Sequence, residues 1–184
     1  MTEDANKALA AEAATENTAL DAIEVLEADH RVAKQLFDAF EKAADADLEA
    51  KGALVRRACE VLTVHTMIEE AILYPAAHKA LMGRDEIGVD EAYVEHFIAK
   101  TLIEKFDTLK PGDHGFDATF MVLSQMVRQH IDEEESGLFP ELRESGVDLV
   151  RLGEEIAAEK ERLMNKLDAA ASRLVDDGSL IFRR

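Results

Sequence analysis

The sequence predicts an all-α protein, an up-down-up-down antiparallel four-helix bundle with an additional C-terminal helix. Three observations lead there. Apolar residues recur at alternating steps of three and four in four separate stretches, the spacing of amphipathic helices. The composition is rich in Ala, Leu and Glu, with three Pro and no Trp, which favours helix. The chain also repeats itself. "DHRVAKQLFDAF" (29–40) returns as "EHFIAKTLIEKF" (95–106), and "HTMIEEAILYP" (65–75) returns as "HIDEEESGLFP" (130–140). Two matched pairs in the same order are the mark of a duplicated helical hairpin.

Residues 1–16 form an N-terminal extension with no apolar anchor, 17–145 the bundle, and 146–184 a C-terminal helix and tail. The first helix carries the stripe Ile23, Leu26, His30, Ala33, Phe37 and Phe40, and breaks at Asp45–Asp47 and at "KG" (51–52). The second carries Leu54, Ala58, Val61, Leu62, His65, Glu69 and Ile72. Pro75 is expected to end or kink it, before a turn at "MGRDEIG" (82–88). The third, with Val89, Ala92, His96, Ala99, Ile103 and Phe106, stops at "LKPGDHG" (109–115). The fourth has Leu123, Val127, His130 and Glu134, with Pro140 in the place of Pro75 and "ESGV" after it. A fifth stretch, about 148–175, repeats Leu149, Leu152, Ile156, Leu163, Leu167, Ala170 and Leu174 at helical spacing. It is expected to pack on the bundle or on a second copy of the chain, as a homo-oligomer interface.

A net charge of −18 repels phosphate backbones and anionic lipid surfaces, so neither nucleic acid nor membrane is expected as a partner. No apolar run is long enough to span a bilayer, and the single cysteine, Cys59, suits a reducing compartment. A cytoplasmic protein is the expectation. Cys59 falls off the direction of His65 and reads as core.

The chemistry lies in six polar residues on apolar stripes: His30, His65, Glu69, His96, His130 and Glu134. A buried carboxylate without a positive partner costs several kcal/mol, and the stripes offer no Lys or Arg. Lys34 and Lys100 repeat, but read as a solvated face. A metal ion supplies the missing charge. His and Glu four apart project from one side of a helix, and packed helices bring such side chains together near the bundle axis. Imidazole with carboxylate suits iron, manganese or zinc, and the lack of thiolates argues against an iron–sulfur cluster. Four imidazoles and two carboxylates would saturate one octahedral ion. The two-fold repeat favours two, one for each half, with a Glu on each of two helices placed to bridge.

At these residues the chain resembles the hemerythrin-like family, the HHE cation-binding domains, over about residues 25–142. The order His, His-x-x-x-Glu, His, His-x-x-x-Glu is met at His30, His65 and Glu69, His96, and His130 and Glu134. The resemblance implies a non-haem pair of iron ions, oxo- or hydroxo-bridged. Glu69 and Glu134 would bridge, His30 and His65 would share one iron, and His96 and His130 the other. Oxygen-carrying members have five His, with His-x-x-x-His on the third helix; here Ala92 and Lys100 stand four residues either side of His96. The Glu four residues after His130 replaces their Asp at five. Fewer nitrogen ligands leave more open positions, which moves the expectation from reversible oxygen storage toward oxygen or peroxide chemistry and sensing.

Tyr93, one turn before His96, is a candidate additional metal ligand. Glu70, Glu133 and Glu135 read as surface acids beside the site or as groups orienting a His. Leu73, Tyr74 and Pro75, with Leu138, Phe139 and Pro140, are expected to cover one end of it; His78 and His114 read as surface residues. The leading expectation is a di-iron protein that binds or senses O2, peroxide or NO. A peroxide-disproportionating or ferroxidase-like enzyme and an iron-handling protein are the alternatives.

Overall fold

The computed structural model describes residues 20–82 and 86–176, all built from helix and connecting turns. Helix α1 (Ala22–Lys42) leads into α2 (Leu48–Ile68), which runs on through a π-helical turn, π1 (Glu69–Leu73), into α3 (Tyr74–Ala80). The second hairpin repeats the plan. Helix α4 (Glu86–Lys105) is followed by α5 (Phe116–Glu133), which continues through π2 (Glu134–Leu138) into α6 (Phe139–Glu144). Helix α7 (Leu149–Asp176) follows. Helix α1 packs along α2 and α4 along α5, while α1–α5 and α2–α4 contacts close the four-helix ring. Helix α7 lies on α1 and α2. The expected extension (1–16) and the last eight residues of the tail lie outside the described residues, as do the side chains of Ala170 and Leu174.

Local chemistry sets the helix starts. Asp21 and Glu24 form a reciprocal capping box on α1, each side chain accepting from the other's backbone N–H at 2.9 Å. Asp47 caps α2 by accepting from Ala50 N–H at 3.0 Å. "KG" therefore breaks nothing, since Lys51 and Gly52 sit inside α2, close to its start. Lys51 is buried because its ammonium reaches Asp117 at 2.5 Å and Asp45 at 3.2 Å. Gly52 lets the α4–α5 loop come close: a Cβ there would stand 2.7 Å from Pro111 Cγ. Helix α4 also begins at Glu86, inside the expected turn.

The two prolines do not end their helices. Proline lacks an N–H and its ring crowds the carbonyl four residues back, which an α-helix cannot absorb without distortion. A π turn absorbs it. Tyr74 N–H reaches back five residues to Glu69, and Phe139 N–H to Glu134. In the same register Pro75 leaves the Glu70 carbonyl free, and the Tyr93 hydroxyl donates to it at 3.5 Å.

Apolar packing forms two clusters. One gathers Ile23, Leu26, Ile68, Leu73, Phe139, Leu152 and Ile156. The other gathers Phe37, Phe40, Leu62, Phe116, Phe120 and Leu123. The six polar stripe residues fall between them along the helices, so the site is sealed at both ends by core.

Candidate metal centre

All six residues are buried, none more than 5% exposed. His30 Nε2 faces His65 Nε2 at 3.2 Å, and His96 Nε2 faces His130 Nε2 at 3.2 Å. The carboxylates stand between these pairs. Glu69 Oε2 is 3.1 Å from His65 Nε2 and 3.3 Å from His96 Nε2. Glu134 Oε2 is 3.3 Å from His30 Nε2 and 3.6 Å from His130 Nε2. Ligand atoms of His30, His65, Glu69 and Glu134 lie close enough to hold one ion, and those of Glu69, His96 and His130 another. Glu69 belongs to both groups.

The outer ring nitrogens show how the imidazoles are oriented. Nδ1 of His30 lies 2.9 Å from Glu135, Nδ1 of His96 3.1 Å from Glu70, and Nδ1 of His130 2.8 Å from Glu95. His65 Nδ1 points toward Asp29, at 3.8 Å. A proton held on Nδ1 by an acid, as at His30, His96 and His130, turns the Nε2 lone pair inward, as metal-binding histidines require. Each Glu-Glu pair thus grips both nitrogens of a ring on the opposite hairpin. Glu69 and Glu70 hold His96, and Glu134 and Glu135 hold His30. Two nitrogens ~2.1 Å from one ion and at right angles lie ~3.0 Å apart, close to the spacing of both imidazole pairs.

Positive charge is what the cluster lacks. Burial and the neighbouring Glu134 push the Glu69 pKa up, while Glu134 is held down, His130 and His30 outweighing its burial. Burial opposes charge on His130, yet Glu134 and Glu95 raise it to about 9; burial and His130 press His96 down to about 4. Protons on the imidazoles are therefore one source of compensation. They are an incomplete one, since both oxygens of Glu69 and Oε2 of Glu134 have no hydrogen-bond donor. A cation among the Nε2 and Oε2 atoms would satisfy Oε2 of both carboxylates, so the residues present fit a metal.

The structure also brings in groups that the sequence reading placed elsewhere. Tyr74, expected as cover, puts its hydroxyl in the cluster, donating to Glu134 Oε1 at 2.8 Å and lying 3.1 Å from His96 Nε2. Burial, then Glu69 and Glu134, raise its pKa, so the phenol keeps its proton. Tyr93, the candidate ligand, stands outside: its hydroxyl is bound to the Glu70 carbonyl and its ring packs edge-on against Tyr74. Lys34 and Lys100 are half-exposed but reach back to the orienting acids, Lys34 to Glu135 at 3.1 Å and Lys100 to Glu70 at 2.5 and 2.6 Å. Their recurrence at the same place in both hairpins was the available signal. Asp29 is paired with Lys160 of α7. Cys59 is half-buried away from the cluster, its thiol pushed up to about 12 by burial. His78 is half-exposed beside Asp90, and His114 is exposed.

A four-helix bundle with a buried cluster of imidazoles and carboxylates able to hold cations is the class of protein defined here. The chain belongs to the Hemerythrin HHE cation binding domain family, which residues 21–142 match. In fold it is similar to a Hemerythrin HHE cation binding domain-containing protein from Mycobacterium kansasii. The TM-score is 0.69 and the identity 25%, covering 86% of this chain and 94% of that one. It is 28% identical over 113 residues to a DNA nickase of Nostoc sp., covering 60% of this chain and 31% of that protein. It is 29% identical over 79 residues to an uncharacterized hemerythrin-like protein of Schizosaccharomyces pombe, covering 43% of this chain and 39% of that one. The matched stretches span under two-fifths of the length of these two curated relatives. Among the described residues no helix is long and apolar enough to cross a membrane.

Proposed function

We propose that this protein holds a pair of iron ions and presents them to a small oxidant, O2, peroxide or NO. The observation that carries the reading is the pairing of inward imidazoles, 3.2 Å apart in both halves, around carboxylate oxygens that have no donor. His30 and His65 would hold one ion, His96 and His130 the other, with Glu69 and Glu134 shared between them. Two irons so held supply open coordination positions and a change of redox state for binding or turning over the oxidant.

The chain's own residues do the rest. Glu70, Glu95 and Glu135 hold the Nδ1 proton of a ring and keep its Nε2 turned inward. Tyr74 donates to the outer oxygen of Glu134, leaving Oε2 for the cation. Leu62, Ala99, Met126 and Val127 line a small apolar cavity against His65, His96 and His130. That lining keeps water out and suits a diatomic ligand better than a bulky polar one. The nickase activity of the Nostoc relative is not carried over, because a charge of −18 repels DNA.

The test is metal content per chain on protein purified without chelator, with an absorption spectrum before and after peroxide. About two irons are expected, and Glu69→Ala or Glu134→Ala should leave at most about one. No metal, together with no anaerobic uptake of ferrous iron, would overturn the reading.

A further inference from the structure

The two halves of the centre are near-copies, but their surroundings differ. Between α4 and the α5–π2 segment runs a cleft of about 240 Å³ that ends on His130 and Glu134. Glu91, Glu95, Glu133 and Glu141 form its walls, and among the described residues no Lys or Arg lines it. Outside it, Asp90 joins Glu91, Glu95 and Glu133 around a second, shallower depression. At the inner end Glu134 is 3% exposed and its Oε2 has no hydrogen-bond partner. An unpartnered carboxylate oxygen at the floor of a cleft walled by four further carboxylates is a receptor for a cation.

The corresponding places in the first hairpin are built the opposite way. Glu91, Glu133 and Glu141 answer by position to Val25, Ile68 and Ala76, which pack in the apolar cluster with Leu152 and Ile156 of α7. Glu95 answers to Asp29, which Lys160 of α7 neutralises. One approach to the centre is thus closed by core and a cation, while the other is open and acidic. Packing alone gives no reason for four carboxylates to line one cleft, where like charges repel.

We propose that the cleft walled by Glu91, Glu95, Glu133 and Glu141 captures divalent cations and passes them to Glu134 and His130. The proposal rests on the metal-centre reading and adds a route to it. The outer acids Glu91 and Glu133 raise the local cation concentration. Glu95, already bound to His130 Nδ1, marks the inner end. Both ions would load from this side, the second pair of imidazoles being reached past the first.

The experiment mixes metal-free full-length protein with Co²⁺ at low ionic strength, follows visible absorption in time, and measures bound cobalt at equilibrium. Charge-lined clefts raise on-rates by about 10- to 1000-fold, so removing two of the outer charges in E91Q/E133Q should slow uptake about tenfold. Added salt should narrow that difference. The final cobalt content should equal that of the unaltered protein. The control E154Q/E161Q makes the same change of net charge on exposed positions of α7 and should load at the unaltered rate. The proposal is overturned if E91Q/E133Q loads as fast as the unaltered protein or if the control slows equally. A lower final content in E91Q/E133Q also overturns it, because those acids would then be ligands. If the unaltered protein takes up no Co²⁺, the metal-centre reading itself fails.

Discussion

Replacing Glu70 by Ala isolates the step on which the metal reading depends, the inward aim of a histidine lone pair. Glu70 Oε1 is 3.1 Å from His96 Nδ1, and both of its oxygens take the Lys100 ammonium at 2.5 and 2.6 Å. In Glu70→Ala nothing keeps the proton on Nδ1, and the ring is free to turn or to place its proton on Nε2. Loss of such an orienting partner typically costs about 10- to 100-fold in metal affinity. The Glu70 side chain is 27% exposed and Lys100 39%, so water replaces part of the lost contact and the low end, about tenfold, is expected. Glu70→Gln keeps an acceptor for the Nδ1 proton while removing the charge that faces Lys100, so its loss should be smaller, about threefold or less. Competition with a chelator near neutral pH reads both, with the thermal midpoint of each metal-free variant as the control for folding. Unchanged affinity in Glu70→Ala would refute the reasoning. A loss in Glu70→Gln as large as in Glu70→Ala would show that the Glu70–Lys100 charge pair matters, rather than the aim of His96.

Two further outcomes follow from the packing. Gly→Ala inside a helix ordinarily stabilises by about 1 kcal/mol, but at Gly153 the new Cβ would run into the Leu20 carbonyl oxygen and stand 2.8 Å from Asp21 C. These are backbone atoms that cannot rotate away, so a net loss of about 1–2 kcal/mol is expected by urea unfolding; a gain would show that α7 does not dock on the start of α1. Tyr74→Phe should change the affinity and absorption of the iron-loaded protein, because its hydroxyl touches Glu134 and His96, whereas Tyr93→Phe should leave both as they are. The reverse pattern would restore Tyr93 to the centre.

The bundle was legible because its signals are local and doubled. Stripes such as Ile23, Leu26, His30, Ala33, Phe37 and Phe40 need only the helical period, and the second hairpin repeats them in order. The six central residues stood out because polar groups on an apolar stripe have no other economical explanation. What was missed depends on the π turns. On a regular helix Tyr93 precedes His96 by about one turn and looks like its neighbour, while Tyr74 lies beyond the ligands as a lid. The extra residue in π1 carries Tyr74 inward and frees the carbonyl that engages Tyr93. Glu70 and Glu135 would each point to the flank of their own helix, and only the neighbouring hairpin shows that the flank faces a histidine ring. The close approach of Gly153 to Leu20 and the pairing of Lys160 with Asp29 join segments more than a hundred residues apart, which no local pattern encodes.

The way the duplicated halves interlock has a consequence for stability. Each Glu-Glu pair holds a histidine of the opposite hairpin: Glu69 and Glu70 hold His96, Glu134 and Glu135 hold His30. Two of the four rings, His30 and His96, thus depend on carboxylates of the other half, while His65 and His130 face Glu69 and Glu95 of their own. The metal-free bundle buries Glu69 and Glu134 with oxygens that find no donor, a destabilising arrangement at the very place where the hairpins meet. A cation bound there removes that defect and binds only the assembled form, so at 100 times its dissociation constant it adds about 2.7 kcal/mol to folding. The same carboxylates that weaken the empty bundle are what make the filled one cohere, and a chain built this way couples its fold to its cation.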